Sequence, residues 1–387
     1  MSVLFRGGKV FHNGTFEALD VYAKDGKILK IAAELQPAPG DETVDLGGRL
    51  LVPGFIDIHT HGAAGVDVNA ASAEDLEKIS EFFADQGTTS WLCSVLTDTK
   101  EQTEWCIDQV KAWKKIEHRG ADLLGIHLEG PFLSREYKGA MPESLLRKAD
   151  LPLLAEYADR AEGAIRYITV SPEVEGVPEL IPAAEKLGIH VAIGHSGADY
   201  ETAVKAIESG AESGTHVGNA MKAFDRHEPA IWGAILESDK VYAEAICDGR
   251  HLHPGTVRLY LKAKGNHRVI AVTDSIMAAG LPDGQYKLGV NDVTVKDGDA
   301  KLTDSGARAG STLTMRTALK NLLAFTGRPP EYVLPLMTEN PAVLLGVDQR
   351  IGFIREGYDA DLIVIDEAGN LCGTWCKGKK RESKQPQ

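Results

Sequence analysis

Residues 54–61 read GFIDIHTH, a short apolar run that ends in two imidazoles, His59 and His61. The same texture recurs along the chain. TSWLCSV (89–95), DLLGIHLEG (122–130), IRYITVSP (165–172), HVAIGHS (190–196), ESGTHV (212–217), VYAEAICDG (241–249) and RVIAVTDS (268–275) are all short apolar runs of strand length. Helical patterns lie between them, such as SAEDLEKISEFFADQG (72–87) and DYETAVKAIESGA (199–211). Ser72 is placed to cap the first, with Asp75 in the first turn where the helix dipole favours an acid. Eight strands alternating with helices across residues 55–345 fit an α/β chain folded as a (β/α)8 TIM barrel. A doubly wound open sheet alternates in the same way, and the pattern alone leaves both open.

The two ends differ from this middle. Residues 1–54 carry short strands broken by turn signals, among them Asp25-Gly26 and Gly47-Gly48. IGFIREGYDADLIVIDEAGNLCGTWCKGK (351–379) repeats that texture, so residues 1–54 and 346–387 are expected to build one small β-domain. The last residues, KKRESKQPQ (379–387), read as a solvated tail.

Composition narrows the function. The 387 residues are 43% hydrophobic, enough for a sizeable core, and carry 42 Lys and Arg against 56 Asp and Glu, a net charge of −14. Such a chain repels phosphate backbones and anionic membranes, so neither nucleic acid nor membrane is expected as a partner. A small phosphorylated metabolite could bind only in a locally positive pocket. Five scattered cysteines do not make a disulfide framework and point to a reducing cytoplasmic setting. No apolar stretch is long enough for a membrane helix, and the N-terminal run is too short for a signal peptide.

The chemistry lies where polar residues end the apolar runs: His59 and His61 the first, Glu129 the third, His195 the fifth, His216 the sixth and Asp274 the eighth. In a barrel the C-terminal strand ends converge on one face. Residues two apart on a strand point the same way, so His59 and His61 form a short chelate. Imidazoles and carboxylates gathered there suit a divalent ion such as zinc, iron or manganese. Any one of these histidines alone reads as an ordinary buried or surface residue. His12, His118, His190, His253 and His267 lack the run-end context and are read as structural or exposed.

The motifs PGFIDIHTHG, GIHLEGPF, GHSGADY, GTHVGNAM, CDGRHLHP and VTDSIMAAG occur in this order, followed by AGSTLTM, TENPAVLLG and GYDADLIVID. Together they closely resemble the N-acetylglucosamine-6-phosphate deacetylases, a branch of the amidohydrolase superfamily. The resemblance implies a cytoplasmic homodimer, each subunit a metal-bearing barrel with a β-sandwich from both termini and one or two divalent ions. Glu129, His195 and His216 match the ligands of the principal metal. His59, His61 and Asp274, with Glu129 bridging, match a second. The implied reaction removes an acetyl group from an amino-sugar 6-phosphate. Asp274 matches the general base and then acid, and His251 the group that polarises the carbonyl. On the residues alone, His251 is equally a loop histidine.

Ala140, Asn219, Ala220, Ala307, Arg308 and Ala309 match positions that meet the sugar phosphate. DRHEPA (225–230) places His227 where an arginine usually binds phosphate. Histidine lacks arginine's fork and permanent charge, so Arg226 or Arg308 is expected to compensate. Many other amidohydrolases bridge their metals with a carboxylated lysine. Glu129 at this position favours the deacetylase branch over dihydroorotase-like or aminoacylase-like hydrolases. The galacto epimer remains an alternative substrate. A non-catalytic metal-binding protein is the remote alternative, weighed against the presence of Asp274, His251 and every ligand.

Overall fold

A computed structural model describes residues 2–382. Eight parallel strands form one sheet: β1 (Phe55–Asp57), β2 (Thr88–Leu96), β3 (Asp122–Glu129), β4 (Ile165–Val170), β5 (His190–Ile193), β6 (Ser213–Gly214), β7 (Tyr242–Ile246) and β8 (Val269–Val272). They neighbour one another in chain order, whereas a doubly wound sheet would reverse direction at a switch point. Parallel bridging of Thr60 to Ser275 brings the first and last strands together beyond their C-terminal ends. The Asp274 N–H donates to the His59 carbonyl there at 2.8 Å. The sheet is therefore a barrel, and its seam closes at the residues singled out above. The apolar runs pack outward under the helices, as in α1 (Ala73–Asp85), where Ser72 and Asp75 form a reciprocal capping box.

The termini build two further sheets, the first from N-terminal strands alone and the second from both ends. One has four strands, including Ser2–Arg6 and Asp20–Lys24; the other has six, with Leu50–Pro53 between Lys9–His12 and Leu362–Ile365. Leu51, Leu362 and Val364 join the core shared by these sheets, while Leu50, Val52, Ile363 and Ile365 pack on the barrel core. Burial on both faces explains why LLVP and LIVI are unbroken apolar runs instead of alternating ones.

Two features depart from the sequence reading. Residues 284–302 fold as a three-stranded antiparallel sheet inserted after β8, not as part of the strand–helix rhythm. Its turn at Asp297-Gly298 was a local signal for a hairpin. The supposed tail is also partly structured: Lys379–Lys380 pairs with Leu371–Cys376, and Arg381 bonds Glu81 and Asp85 of α1. The remainder of that tail, residues 383–387, lies outside the described residues.

Asp361 sits where the terminal sheets meet the barrel. Its Oδ1 accepts the Lys377 N–H, while Oδ2 is buried without a partner among the described residues. Burial, reinforced by Asp359 and Asp122, pushes its carboxyl up to about 7. A folded-state value above the unfolded 3.8 means that the fold binds more protons between these limits. Stability is therefore lost as pH rises through this window, and the cost is complete above it. Asp361→Asn carries no such charge. It is expected to exceed the parent's stability at pH ~8 by roughly 1–3 kcal/mol, the advantage shrinking toward pH ~4. Urea midpoints at the two pH values check this.

Candidate active site

The strand ends bring five candidate ligands and Asp274 into one buried cluster at the barrel mouth. Glu129, the last residue of β3, is its hub. Its Oε1 lies 3.1 Å from His195 Nε2, 3.2 Å from His216 Nε2 and 3.3 Å from His59 Nε2, and its Oε2 lies 3.2 Å from His61 Nε2. His195 and His216 present their Nε2 atoms 3.1 Å apart. Asp274 Oδ1 lies 3.2 Å from His61 Nε2 and 3.8 Å from His59 Nε2. His195, His216 and Asp274 reach these positions with φ of 47°, 28° and 49°, a left-handed backbone that few non-glycine residues adopt. Such strain is typical of positions where the surrounding structure enforces a functional geometry.

Outer partners fix which nitrogen faces inward. His195 Nδ1 donates to the Tyr137 carbonyl at 3.0 Å, His61 Nδ1 to the Ser94 carbonyl at 2.9 Å, and His59 Nδ1 to Glu244 Oε2 at 3.0 Å. In the neutral rings the Nε2 atoms are then bare acceptors aimed at carboxylate oxygens, which are also acceptors. Among the described residues, His59 Nε2 is buried without a satisfied hydrogen bond. Lone pairs converging in this way repel unless a cation sits among them. The residues therefore fit a divalent metal, with His59, His61 and Asp274 forming one compact group and His59, Glu129 and His216 another.

The electrostatics agree. Burial opposes charge on His61, but Glu129 and Asp274 outweigh it and push the imidazole up to about 9. His59 is raised in the same way, while Glu129 is held well below the usual carboxylate range by the imidazoles around it. The carboxylates thus demand positive charge, either on imidazolium or on a metal.

A cavity of about 320 Å³ opens over the cluster. His61, Glu129, His195, His216 and Asp274 form its floor, and Ala140, Asn219, Ala220, His251, Arg308 and Ala309 line its walls. His59 lies beneath, fully buried. Ala307 is exposed and outside the lining. Arg226 and His227 are likewise exposed and do not reach this chain's own cavity. Arg308 does, but its Nε and one terminal nitrogen already fork onto Asp299.

Several residues of the site were not found from the sequence. Glu244 is fully buried on β7 and binds His59, the Tyr167 hydroxyl and the His216 N–H. A charged residue inside the run VYAEAICDG was its only local sign. His127 lies under His59, bonded to Ser94 and Thr169, and burial keeps it neutral. The loop 133–141 supplies the Tyr137 carbonyl. The histidines set aside as structural do play such parts: His190 pairs with Glu212, and His253 caps the helix Pro254–Lys264. The five cysteines are free. Among the described residues no helix is long and apolar enough to cross a membrane.

A barrel with a His and carboxylate cluster at its C-terminal mouth is the architecture of a metal-dependent hydrolase. The sequence profile of the amidohydrolase family matches residues 50–381. A Bacillus subtilis N-acetylglucosamine-6-phosphate deacetylase is 36% identical over 92% of this chain and 90% of its own length. An Escherichia coli N-acetylgalactosamine-6-phosphate deacetylase is 31% identical over 90% of this chain and 92% of its own. The crystal structure of the Pasteurella multocida N-acetylglucosamine-6-phosphate deacetylase superposes with a TM-score of 0.93 at 30% identity, covering 99% of this chain and 100% of that one. The chain belongs to the amidohydrolase family and, within it, to the group of amide-bond hydrolases that contains the N-acetylglucosamine-6-phosphate deacetylases.

Proposed function

We propose that this enzyme removes the acetyl group of N-acetylglucosamine 6-phosphate, yielding glucosamine 6-phosphate and acetate. The observation that carries the reading is the convergence of four imidazole Nε2 atoms on Glu129, with Asp274 beside them, on the floor of a sugar-sized cavity. Glu129, His195 and His216 would hold a principal divalent ion (zinc, iron or manganese). His59, His61 and Asp274 would hold a second, with Glu129 between them. Such an ion acidifies water toward neutrality and polarises a carbonyl.

The rest of the chemistry belongs to the side chains. Asp274 accepts the proton of the attacking water and passes it to the amine nitrogen, because an amide anion does not leave. One carboxylate acting first as base and then as acid is ordinary proton-transfer catalysis. His251, on the cavity wall, stabilises the acetyl oxygen as it gains charge. Ala140, Asn219 and Ala220 seat the sugar ring. Arg308 is the arginine of this lining; its fork holds Asp299 and its other terminal nitrogen the Arg250 carbonyl, so it would supply charge to the phosphate in place of a free fork. In a homodimer, the exposed loop carrying Arg226 and His227 serves the other subunit's cavity.

An acetate-release assay tests the reading directly. N-acetylglucosamine 6-phosphate is expected to turn over at least about 100-fold faster, by kcat/KM, than the unphosphorylated sugar, a gap of roughly 2.7 kcal/mol. Elemental analysis of the same preparation is expected to find one to two divalent ions per chain. Faster release from N-acetylgalactosamine 6-phosphate would reassign the epimer. No release from any acetylated amino sugar would refute the proposal.

A further inference from the structure

Asp248 and His251 lie three residues apart in the turn after β7, with both side chains 7% exposed. Asp248 Oδ1 accepts the N–H groups of Arg250 and His251, each at 2.8 Å. Its other oxygen, Oδ2, lies 2.7 Å from His251 Nδ1. Burial opposes the charge of this carboxylate, but the hydrogen bond and charge of His251 together with the two backbone N–H bonds outweigh it and hold the group below its ordinary value. An ionised carboxylate only accepts, so Nδ1 of His251 keeps its hydrogen. That leaves Nε2 for a ligand in the cavity that His251 lines.

This tautomer has a consequence for the reaction. With Nδ1–H committed to Asp248, a neutral His251 presents a bare Nε2, which repels a carbonyl oxygen. The ring can donate to that oxygen only when both nitrogens are protonated. We propose that Asp248 is a positioning residue that brings His251 into the reaction as an imidazolium, with Nδ1–H on Asp248 and Nε2–H on the acetyl oxygen. The inference rests on the deacetylase reading above. His251 keeps its proton throughout: the proton of the attacking water travels through Asp274 to the amine, and the oxyanion collapses to acetate against a fixed positive charge. Three other sets of charges face this pair. Arg308 approaches Asp248 from the segment after the inserted sheet, Glu136 lines the cavity from the loop after β3, and the Glu129 and Asp274 cluster forms the floor.

Asp248→Asn is the decisive variant. Its oxygen must stay on the two backbone N–H groups, so its NH2 replaces Oδ2 and donates to Nδ1. The ring is thereby driven to the neutral Nε2–H form. In the metal-loaded enzyme, ¹⁵N-histidine NMR, with His251→Asn assigning the signal, is expected to place the neutral-ring proton on Nδ1 in the parent and on Nε2 in Asp248→Asn. This readout needs no substrate. In turnover, Asp248→Asn is expected to lose about 10–100-fold in kcat, with KM within about twofold of the parent. It should also lose the same alkaline limb of the kcat–pH profile that His251→Asn lacks. Asp248→Glu should restore the limb. An unmoved His251 tautomer, or an alkaline limb retained in Asp248→Asn, would overturn the proposal. Failure of the deacetylase reading would show separately, as a parent enzyme that releases no acetate while its NMR signature is intact.

Discussion

Asp274→Asn is expected to reduce kcat by roughly 10²–10⁴-fold, the range that a positioned general acid–base contributes. The substitution is close to isosteric and suits the backbone, because Asn is among the few residues that tolerate the left-handed conformation seen at φ 49°. The hydrogen bonds that tie this position to the barrel seam are made by main chain: Asp274 N–H to the His59 carbonyl, and Ser311 N–H to the Asp274 carbonyl. The fold should survive, with a thermal midpoint within a few degrees (about 3 °C) of the parent. What disappears is a group able to take a proton from water and return it to nitrogen. Acetate release measured beside a thermal melt separates the two effects. Undiminished turnover would end the assigned role.

Glu129→Gln is expected to lose both metal and activity. The carboxylate is the one group that all four inward-facing imidazoles approach, at 3.1 to 3.3 Å. An amide carries no charge, and its NH2 can face only some of these nitrogens. Losing an outer partner of a metal ligand costs about 10–100-fold, and losing the hub itself should exceed that. Elemental analysis should find less than one ion per chain, with kcat/KM falling in parallel. Stripping the parent with a chelator offers a second check. Without an ion, the Glu129 and Asp274 charges hold His61 up to about 9, above the ordinary 6.5. A raised histidine value stabilises the fold fully below 6.5, and that contribution is lost as pH rises through about 9. The stripped protein should therefore lose stability over this interval, while the loaded protein stays nearly level.

The strand–helix alternation was legible because its signals are local. A strand of four to nine residues buried on both faces must be apolar, and its end can be marked by one polar residue, as in Ala192–His195 or Ala271–Asp274. The candidate ligands stand out in this way, and motif resemblance suggests their roles. The inserted sheet at 284–302 has local turns, but its strands alternate in polarity and so lack the unbroken apolar runs that mark the barrel. The tail's charge reads as solvation in the sequence, and only the fold supplies Glu81 and Asp85 to pair with Arg381.

By itself, the chain order of apolar runs and terminal imidazoles narrowed the fold to a barrel or a doubly wound sheet and singled out the candidate cation-holding residues; the seam between the first and last strands decided for the barrel. The tertiary structure alone decided which nitrogen of each ring faces inward. It also decided that Glu244 braces His59, and that Arg226 and His227 lie outside this chain's own cavity. The reason is distance along the chain. The His59–Glu244 hydrogen bond joins positions 185 residues apart, and the Glu129–His216 approach spans 87. A side chain's chemistry is written in its own residue, but its tautomer and charge are set by partners that only barrel closure brings within about 3 Å.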